Sequence, residues 1–456
     1  MSQEIRHGIN MQTARALFKR EQTSFIANMP RAQALAQQAQ QHLLFGVPLH
    51  WMTDWSTPFS LYVANAQGAH FSDVDGHDYI DFCLGDTGAM FGHAPQAVAE
   101  AIQAQANNGY TTMLPTEDAV WVAQELSRRF ALPYWQMAMT ASDANRFMLR
   151  WARAATGRNK ILIFNGCYHG TVDDVFVDLI EGVPTQRDSL LGQVYELSQF
   201  TKVIEFNDLV ALELALKDED VACVLAEPVM TNIGMVLPDT DYWQQAQAII
   251  RKTNTLLILD ETHTISTGSG GYSRAHDLQP DGLVLGKPIA GGIPCAVYGM
   301  SAEFAAKAVA AKVNAPAGHS GIGTTLTANM LAIKAMRATL YLVMTENAYT
   351  YMFALAQQLA TGLREIIKQY QLPWCVTQVG ARTEFQFTHT PPANGTEAGL
   401  ILDSELEQII HLYLLNRGIL ITPFHNMLLV CPATTQQDVS QLLKVFALCL
   451  SELTDN

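Results

Sequence analysis

Several short apolar runs in this chain end in polar residues that could do chemistry together. KILIF (160–164) runs into Asn165-Gly166-Cys167-Tyr168-His169-Gly170, and TKVIEF (201–206) into Asn207-Asp208. VACVLAE (221–227) ends at Glu227-Pro228 with Asn232 close behind, TLLILD (255–260) at Asp260-Glu261, and GLVLGK (282–287) at Gly286-Lys287. A single Asp after a strand is ordinarily a cap, and a single Lys there is ordinarily a snorkelling surface residue. A Lys, an Asp, a Glu, an Asn and an aromatic ring together are different. In an open parallel sheet, ligands bind outside the carboxyl ends of the strands, where all of these residues fall.

The elements that must position them follow from the same runs. Several of them are apolar throughout rather than alternating, as strands covered on both faces are. Helical patterns, LVALELALKD (209–218) and YWQQAQAIIRKT (242–253), separate some of them, and CAVYGM (295–300) adds a further strand. The expected fold is α/β with a largely parallel sheet. SLYVANAQGAHFSDVDGHDYIDF (60–82) alternates and predicts an antiparallel meander, while 95–109, 116–130 and 142–157 read as helices. Thr140-Ala141-Ser142-Asp143 enters the last of these at its N-terminus, where free N–H groups and the helix dipole favour a phosphate. GIGTT (321–325) is a second small-residue turn, able to bring a hydroxyl to the same anion. TGSGGYSR (267–274) looks like a phosphate loop but lacks the GK[ST] of a P-loop, and reads as a mobile loop. The expected division is an N-terminal arm and small-domain segment over 1–84, a large cofactor domain over 85–325, and a helix-rich small domain over 326–456, with strands near 382–388 and 419–431.

Composition narrows the partners. The chain is 49% apolar and only 16% charged, which points to extensive buried surface, including surface between subunits. With 28 Lys plus Arg against 43 Asp plus Glu and no basic run, nucleic acid and anionic membranes are not expected partners. No stretch has the length of a membrane span, and the first residues lack a signal core. Seven scattered cysteines without a CxxC suit reduced thiols and a cytoplasmic location, and no metal site is expected.

Taken together, DVDGHDYIDF (73–82), TASDANRFMLRWARAATGR (140–158), FNGCYHG (164–170), LAEPVMTNIG (225–234), LDETHT (259–264), LGKPIAGGIP (285–294) and GTTLTANM (323–330) resemble the class III aminotransferases. These are fold-type I pyridoxal-phosphate enzymes, and the likeness is nearest to the glutamate-1-semialdehyde aminomutase-like subgroup. The resemblance implies a large domain with a mostly parallel, seven-stranded sheet, a smaller α+β domain, and pyridoxal 5′-phosphate as cofactor. It implies that Lys287 is the lysine joined to the cofactor aldehyde and the proton carrier of the reaction. Asp260 would pair with the pyridine nitrogen and keep it protonated. Tyr168 would stack on the ring, with His169 beside it and Thr262 on the other face, where the family usually has Val. Ala141 and Ser142 would cradle the phosphate, Thr324 and Thr325 would reach it from a neighbouring subunit, and Glu227 and Asn232 would lie beside the ring or serve structure. Arg382 and Thr87 are the candidates for holding substrate.

The departures concern the substrate. TASDA stands for SGTEA and DET for DEV, and GILITPFHNMLLVCP (418–432) carries neither an arginine for an α-carboxylate nor the acidic residue expected of the aminomutase. The resulting expectation is a homodimer with shared active sites, or a tetramer. It would move an amino group between a small amino donor and a carbonyl acceptor by a ping-pong cycle. The alternative is a 2,1-aminomutase.

Overall fold

The structure is a computed structural model that describes residues 4–454. It contains two compact units: one holds the chain up to Pro95, Thr350–Pro391 and the chain from Ile401 on, and the other holds Gln96–Tyr349 and Pro392–Leu400.

The larger unit is built on a seven-stranded sheet. In chain order its strands are β1 (Tyr134–Ala138), β2 (Lys160–Phe164), β3 (Thr201–Ile204), β4 (Val221–Ala226), β5 (Leu256–Asp260), β6 (Gly282–Leu285) and β7 (Ala296–Met300), and their spatial order is β3-β2-β4-β5-β6-β7-β1. From β3 to β6 the pairing is parallel; β7 runs antiparallel to both of its neighbours. Strands β4 to β7 are buried along their whole length, which is why their sequences are apolar runs. β1 was not expected from sequence. YWQMA sits at the sheet edge with Tyr134 exposed, so it shows neither an apolar run nor a long alternation.

Register carries the chemistry. Asp260 lies opposite Val284, and Glu261 N–H donates to the Val284 carbonyl at 2.9 Å, so β5 and β6 leave the sheet at the same edge. The helix Ala141–Thr156 covers the sheet, packing Phe147, Met148 and Ala152 into a core shared with Ile163, Leu225, Ile258, Val284 and Tyr298. It begins one residue before Ser142: Thr140 is the N-cap, its hydroxyl accepting from Asp143 N–H at 3.1 Å, and Gly157 ends the helix in the left-handed region.

One expectation is corrected here. Within TGSGGYSR the chain enters a short helix, Gly271–Ala275, with Gly271, Tyr272 and Ser273 buried, rather than forming a mobile loop. The Glu261 carboxylate accepts from Tyr272 N–H at 2.8 Å, Ser273 N–H at 2.6 Å and the Thr264 hydroxyl at 2.6 Å, taking the place an anion would occupy. The larger compact unit holds Gln96–Tyr349 and Pro392–Leu400, beside the expected cofactor domain of 85–325. Helix Met330–Ala338 packs on Gln96–Gln105 and Glu117–Phe130, and Tyr349 Oη donates to the Ile265 carbonyl at 3.0 Å, so these residues belong to the larger core.

In the smaller unit, Val63–Gln67, His70–Asp73 and Asp78–Asp81 form the expected meander, and Ile419–Leu420 adds a parallel fourth strand. A second sheet joins Cys375–Val379, Arg382–Gln386 and Met427–Leu429. Between that sheet and helix Ser404–Leu415 lie buried ionisable groups. His425 Nδ1 and Glu384 pair at 2.9 Å, and His411 Nε2 contacts Asn426 Oδ1 at 3.1 Å. Burial, opposed by His425 and reinforced by Glu384 and Asp403, pushes the Glu407 carboxyl up to about 7. Its unfolded counterpart titrates at about 4.3, so the folded state holds the proton more tightly and stability falls as pH rises between the two values. Glu407→Gln is therefore expected to leave stability unchanged below about pH 4 and to raise it above about pH 7, read as denaturant midpoints at the two pH values.

Candidate active site

At the end of β5 the chain turns through Asp260-Glu261-Thr262-His263, all buried. Asp260 Oδ2 accepts from Asn145 Nδ2 at 2.8 Å and pairs with His169 Nδ1 at 3.1 Å, while Oδ1 accepts from Thr262 N–H at 3.1 Å. Asn145 Nδ2 also donates to the His169 carbonyl at 3.0 Å, which fixes the loop after β2 against the helix. Burial by itself pushes the Asp260 carboxyl up. The bond and charge of His169, with the bonds from Thr262 and Asn145, outweigh it and hold the carboxyl below the usual carboxylate range. His169 is correspondingly held well above the ordinary imidazole range: burial opposes its charge, and the Cys167 sulfur and Asp260 favour it.

Lys287 heads a short 3₁₀ turn, Lys287–Ala290, with φ +43°. A non-glycine residue in the left-handed region is strained, and strain of this kind collects at functional sites. Its Nζ contacts His263 Nε2. Thr262 ties the two strand ends together, its hydroxyl accepting from Gly286 N–H at 3.2 Å. Gly291 ends the turn at φ +62°, and a Cβ there would meet Val98 at 2.8 Å, so this glycine serves packing against helix Gln96–Gln105.

The start of helix Ala141–Thr156 lies against the same edge. A Cβ on Gly286 would fall 2.8 Å from the Ala141 Cβ, and one on Gly170 (φ +82°) would fall 2.1 Å from Ser142 Oγ. Ser142 Oγ accepts from Thr171 N–H at 3.0 Å. Tyr168 is exposed in the loop between them. Burial raises the Glu227 carboxyl, which accepts from the Thr231 hydroxyl at 2.6 Å and from Asn232 Nδ2 at 3.2 Å.

The structure thus brings Lys287, Asp260, Thr262, His169, Tyr168, Ala141, Ser142, Glu227 and Asn232 to one edge of the sheet. Thr324 and Thr325 lie elsewhere in that unit, exposed in the turn before Met330–Ala338. Arg382 and Thr87 lie in the smaller unit, both buried and hydrogen-bonded to each other. Asn145, Thr231 and His263 were missed. Each sits inside a quoted motif, but nothing in its spacing separates it from a helix or turn residue.

The sequence profile described as Aminotransferase class-III matches residues 51–450. The chain belongs to the class-III aminotransferase family. A glutamate-1-semialdehyde 2,1-aminomutase from Desulfitobacterium hafniense (strain DSM 10664 / DCB-2) is 33% identical over 396 residues, 84% of this chain and 89% of that one. The crystal structure of a glutamate-1-semialdehyde-aminomutase from Pseudomonas aeruginosa PAO1 is 48% identical with a TM-score of 0.96, covering 98% of this chain and 100% of that one. A variant of that protein in complex with PMP matches equally, at 48% identity and a TM-score of 0.96.

The cofactor of this class-III enzyme is pyridoxal 5′-phosphate, and the residues at the sheet edge fit it. An ionised, buried Asp260 is the partner a protonated pyridine nitrogen requires. The helix N-terminus at Ala141-Ser142, packed too closely against Gly170 and Gly286 for any added Cβ, leaves backbone N–H groups for a phosphate. Asp260→Asn should remove the charge that sustains the His169 imidazolium, so the His169 NMR titration should move down in pH. Turnover should fall by several orders of magnitude, on the scale of roughly 3–5 kcal/mol for an unpaired buried charge. Near-normal turnover in this variant would give the ring nitrogen a different partner.

Proposed function

We propose that this enzyme is a 2,1-aminomutase that moves the amino group between adjacent carbons of one small amino aldehyde of the glutamate-1-semialdehyde type. The observation that carries this reading is the end-to-end likeness to the Pseudomonas aeruginosa protein, at 48% identity over 98% of the chain. It reverses the order suggested by the motif departures, in which two-substrate transamination came first. The absence of an acidic residue from 418–432 still favours transamination as the second reading.

In this proposal Lys287 would hold the cofactor through Nζ, and the same nitrogen would take a proton from the substrate carbon and return one. Asp260, held by His169 and Asn145, would serve the ring nitrogen; Ala141 and Ser142 would hold the phosphate; Tyr168 and Thr262 would bind the ring, with Glu227 and Asn232 as further polar groups. When bound, pyridoxal phosphate supplies an aldehyde for the amine and an electron-withdrawing ring. A second copy of the chain would contribute Thr325, with Thr324 beside it, so each site would need both subunits of a homodimer. The cysteines, all free, support a cytoplasmic setting.

The reading is tested by offering glutamate 1-semialdehyde alone. The aminomutase should convert it to the isomeric amino ketone without any added keto acid, whereas conversion only in the presence of a second carbonyl substrate would establish transamination. Borohydride treatment should fix the cofactor on Lys287, and Lys287→Ala should abolish turnover with the fold retained. Mixing Thr325→Ala with Lys287→Ala chains should restore activity above the Thr325→Ala parent at limiting cofactor. Simple averaging of the two parents would remove the shared site.

A further inference from the structure

Behind Lys287 lies a chain of side chains to which the reaction as described assigns no proton transfer. Lys287 Nζ contacts His263 Nε2, His263 Nδ1 contacts Thr231 Oγ1 at 2.7 Å, and the Thr231 hydroxyl reaches Glu227 Oε2 at 2.6 Å. His263, Thr231 and Glu227 are all buried. The other charged groups nearby are committed elsewhere: Asp260 to His169, Asn145 and Thr262, and Glu261 to Thr264, Tyr272 and Ser273.

The hydrogen-bond directions follow from the chemistry at the far end. An ionised carboxylate only accepts, so with Glu227 ionised the Thr231 hydroxyl must donate to it. The Thr231 oxygen then accepts from His263 Nδ1–H. That leaves neutral His263 with a bare Nε2, its lone pair aimed at Lys287. If Glu227 is protonated instead, every bond reverses, and Nε2–H faces the lysine.

We propose that His263, Thr231 and Glu227 form a proton relay for Lys287, with His263 and Thr231 as positioning residues and Glu227 as the store. A proton on Nζ passes to His263 Nε2, the Nδ1 proton passes to Thr231 Oγ1, and the hydroxyl proton passes to Glu227 Oε2. The lysine is left as a neutral amine, the carboxylate becomes a carboxylic acid, and His263 ends as its other neutral tautomer. No charge leaves the buried chain and no co-reactant is needed. Burial raises the Glu227 carboxyl, opposed by His169 and helped by Asp260, as a proton store requires. The relay thus makes Nζ a nucleophile each time Lys287 must take the cofactor back. The inference rests on Lys287 being the cofactor-bearing lysine.

The test is the rate at which the cofactor-free full chain takes up pyridoxal phosphate, followed by visible absorbance across neutral to alkaline pH. His263→Met and Thr231→Val are expected to slow uptake at least about tenfold at neutral pH and to converge with wild type at alkaline pH, where hydroxide removes the proton directly. Thr231→Ser keeps the hydroxyl and should behave as wild type. Slowing that is equal at every pH, or no slowing at all, would overturn the relay, as would a Thr231→Ser variant as slow as Thr231→Val. Borohydride fixation in the same samples separates the two ideas: label on a residue other than Lys287 defeats the site assignment, and label on Lys287 with a flat pH dependence defeats the relay alone.

Discussion

A carboxylate buried at the end of a central strand is the constraint on which the larger unit's functional edge depends. Taking Asp260 out of water costs several kcal/mol unless the lost hydration is replaced. Replacement comes from three separate elements: Asn145 on the helix after β1, His169 on the loop after β2, and the Thr262 backbone just beyond β5. None of these groups can move without leaving a buried charge short of partners. The same bonds that keep Asp260 ionised therefore fix the positions of the helix N-terminus and of the loop carrying Tyr168.

The neighbouring carboxylates show how local environment divides chemically identical groups. Asp260 and Glu261 are adjacent in sequence and equally buried, yet Asp260 is held well below the usual range and Glu261 is raised. Because side chains alternate along a strand, Glu261 turns away, into the nest of N–H groups at Tyr272 and Ser273. There it organises the backbone of a turn; Asp260 faces a protonatable imidazole and takes a full counter-charge. The division of labour follows from strand geometry.

Lys287 is constrained differently. Its positive φ is held on one side by Thr262, which ties Gly286 to the end of β5, and on the other by the glycine that ends the 3₁₀ turn against Val98. Strain of this size persists only where the surroundings over-determine it. It sets the Lys287 stem so that Nζ meets His263 and, beyond it, Thr231 and Glu227.

Much of this was legible in the sequence alone. Short runs rich in β-branched and aliphatic residues identified β2 to β7, several of them apolar throughout because strands buried on both faces exclude polar residues, and the residues after the parallel runs marked the working edge of the sheet. Lys287, Asp260 and the Ala141-Ser142 turn were visible for that reason. Other features were decided only by tertiary structure. The edge strand β1 is half solvated and lacks the signature of a buried strand. Thr140, extended in backbone, rather than Ser142 caps the helix, and Ser142 Oγ accepts from Thr171 N–H across the fold. TGSGGYSR is anchored by a carboxylate some ten residues earlier in the chain, where local sequence suggested mobility. The roles of Asn145, Thr231 and His263 arise from contacts between residues far apart in the chain, which periodicity and propensity do not encode. Composition and pattern thus determine which residues line a parallel sheet and its carboxyl edge; which of those residues share a proton is set by distances of about 3 Å that exist only once the strands are in register.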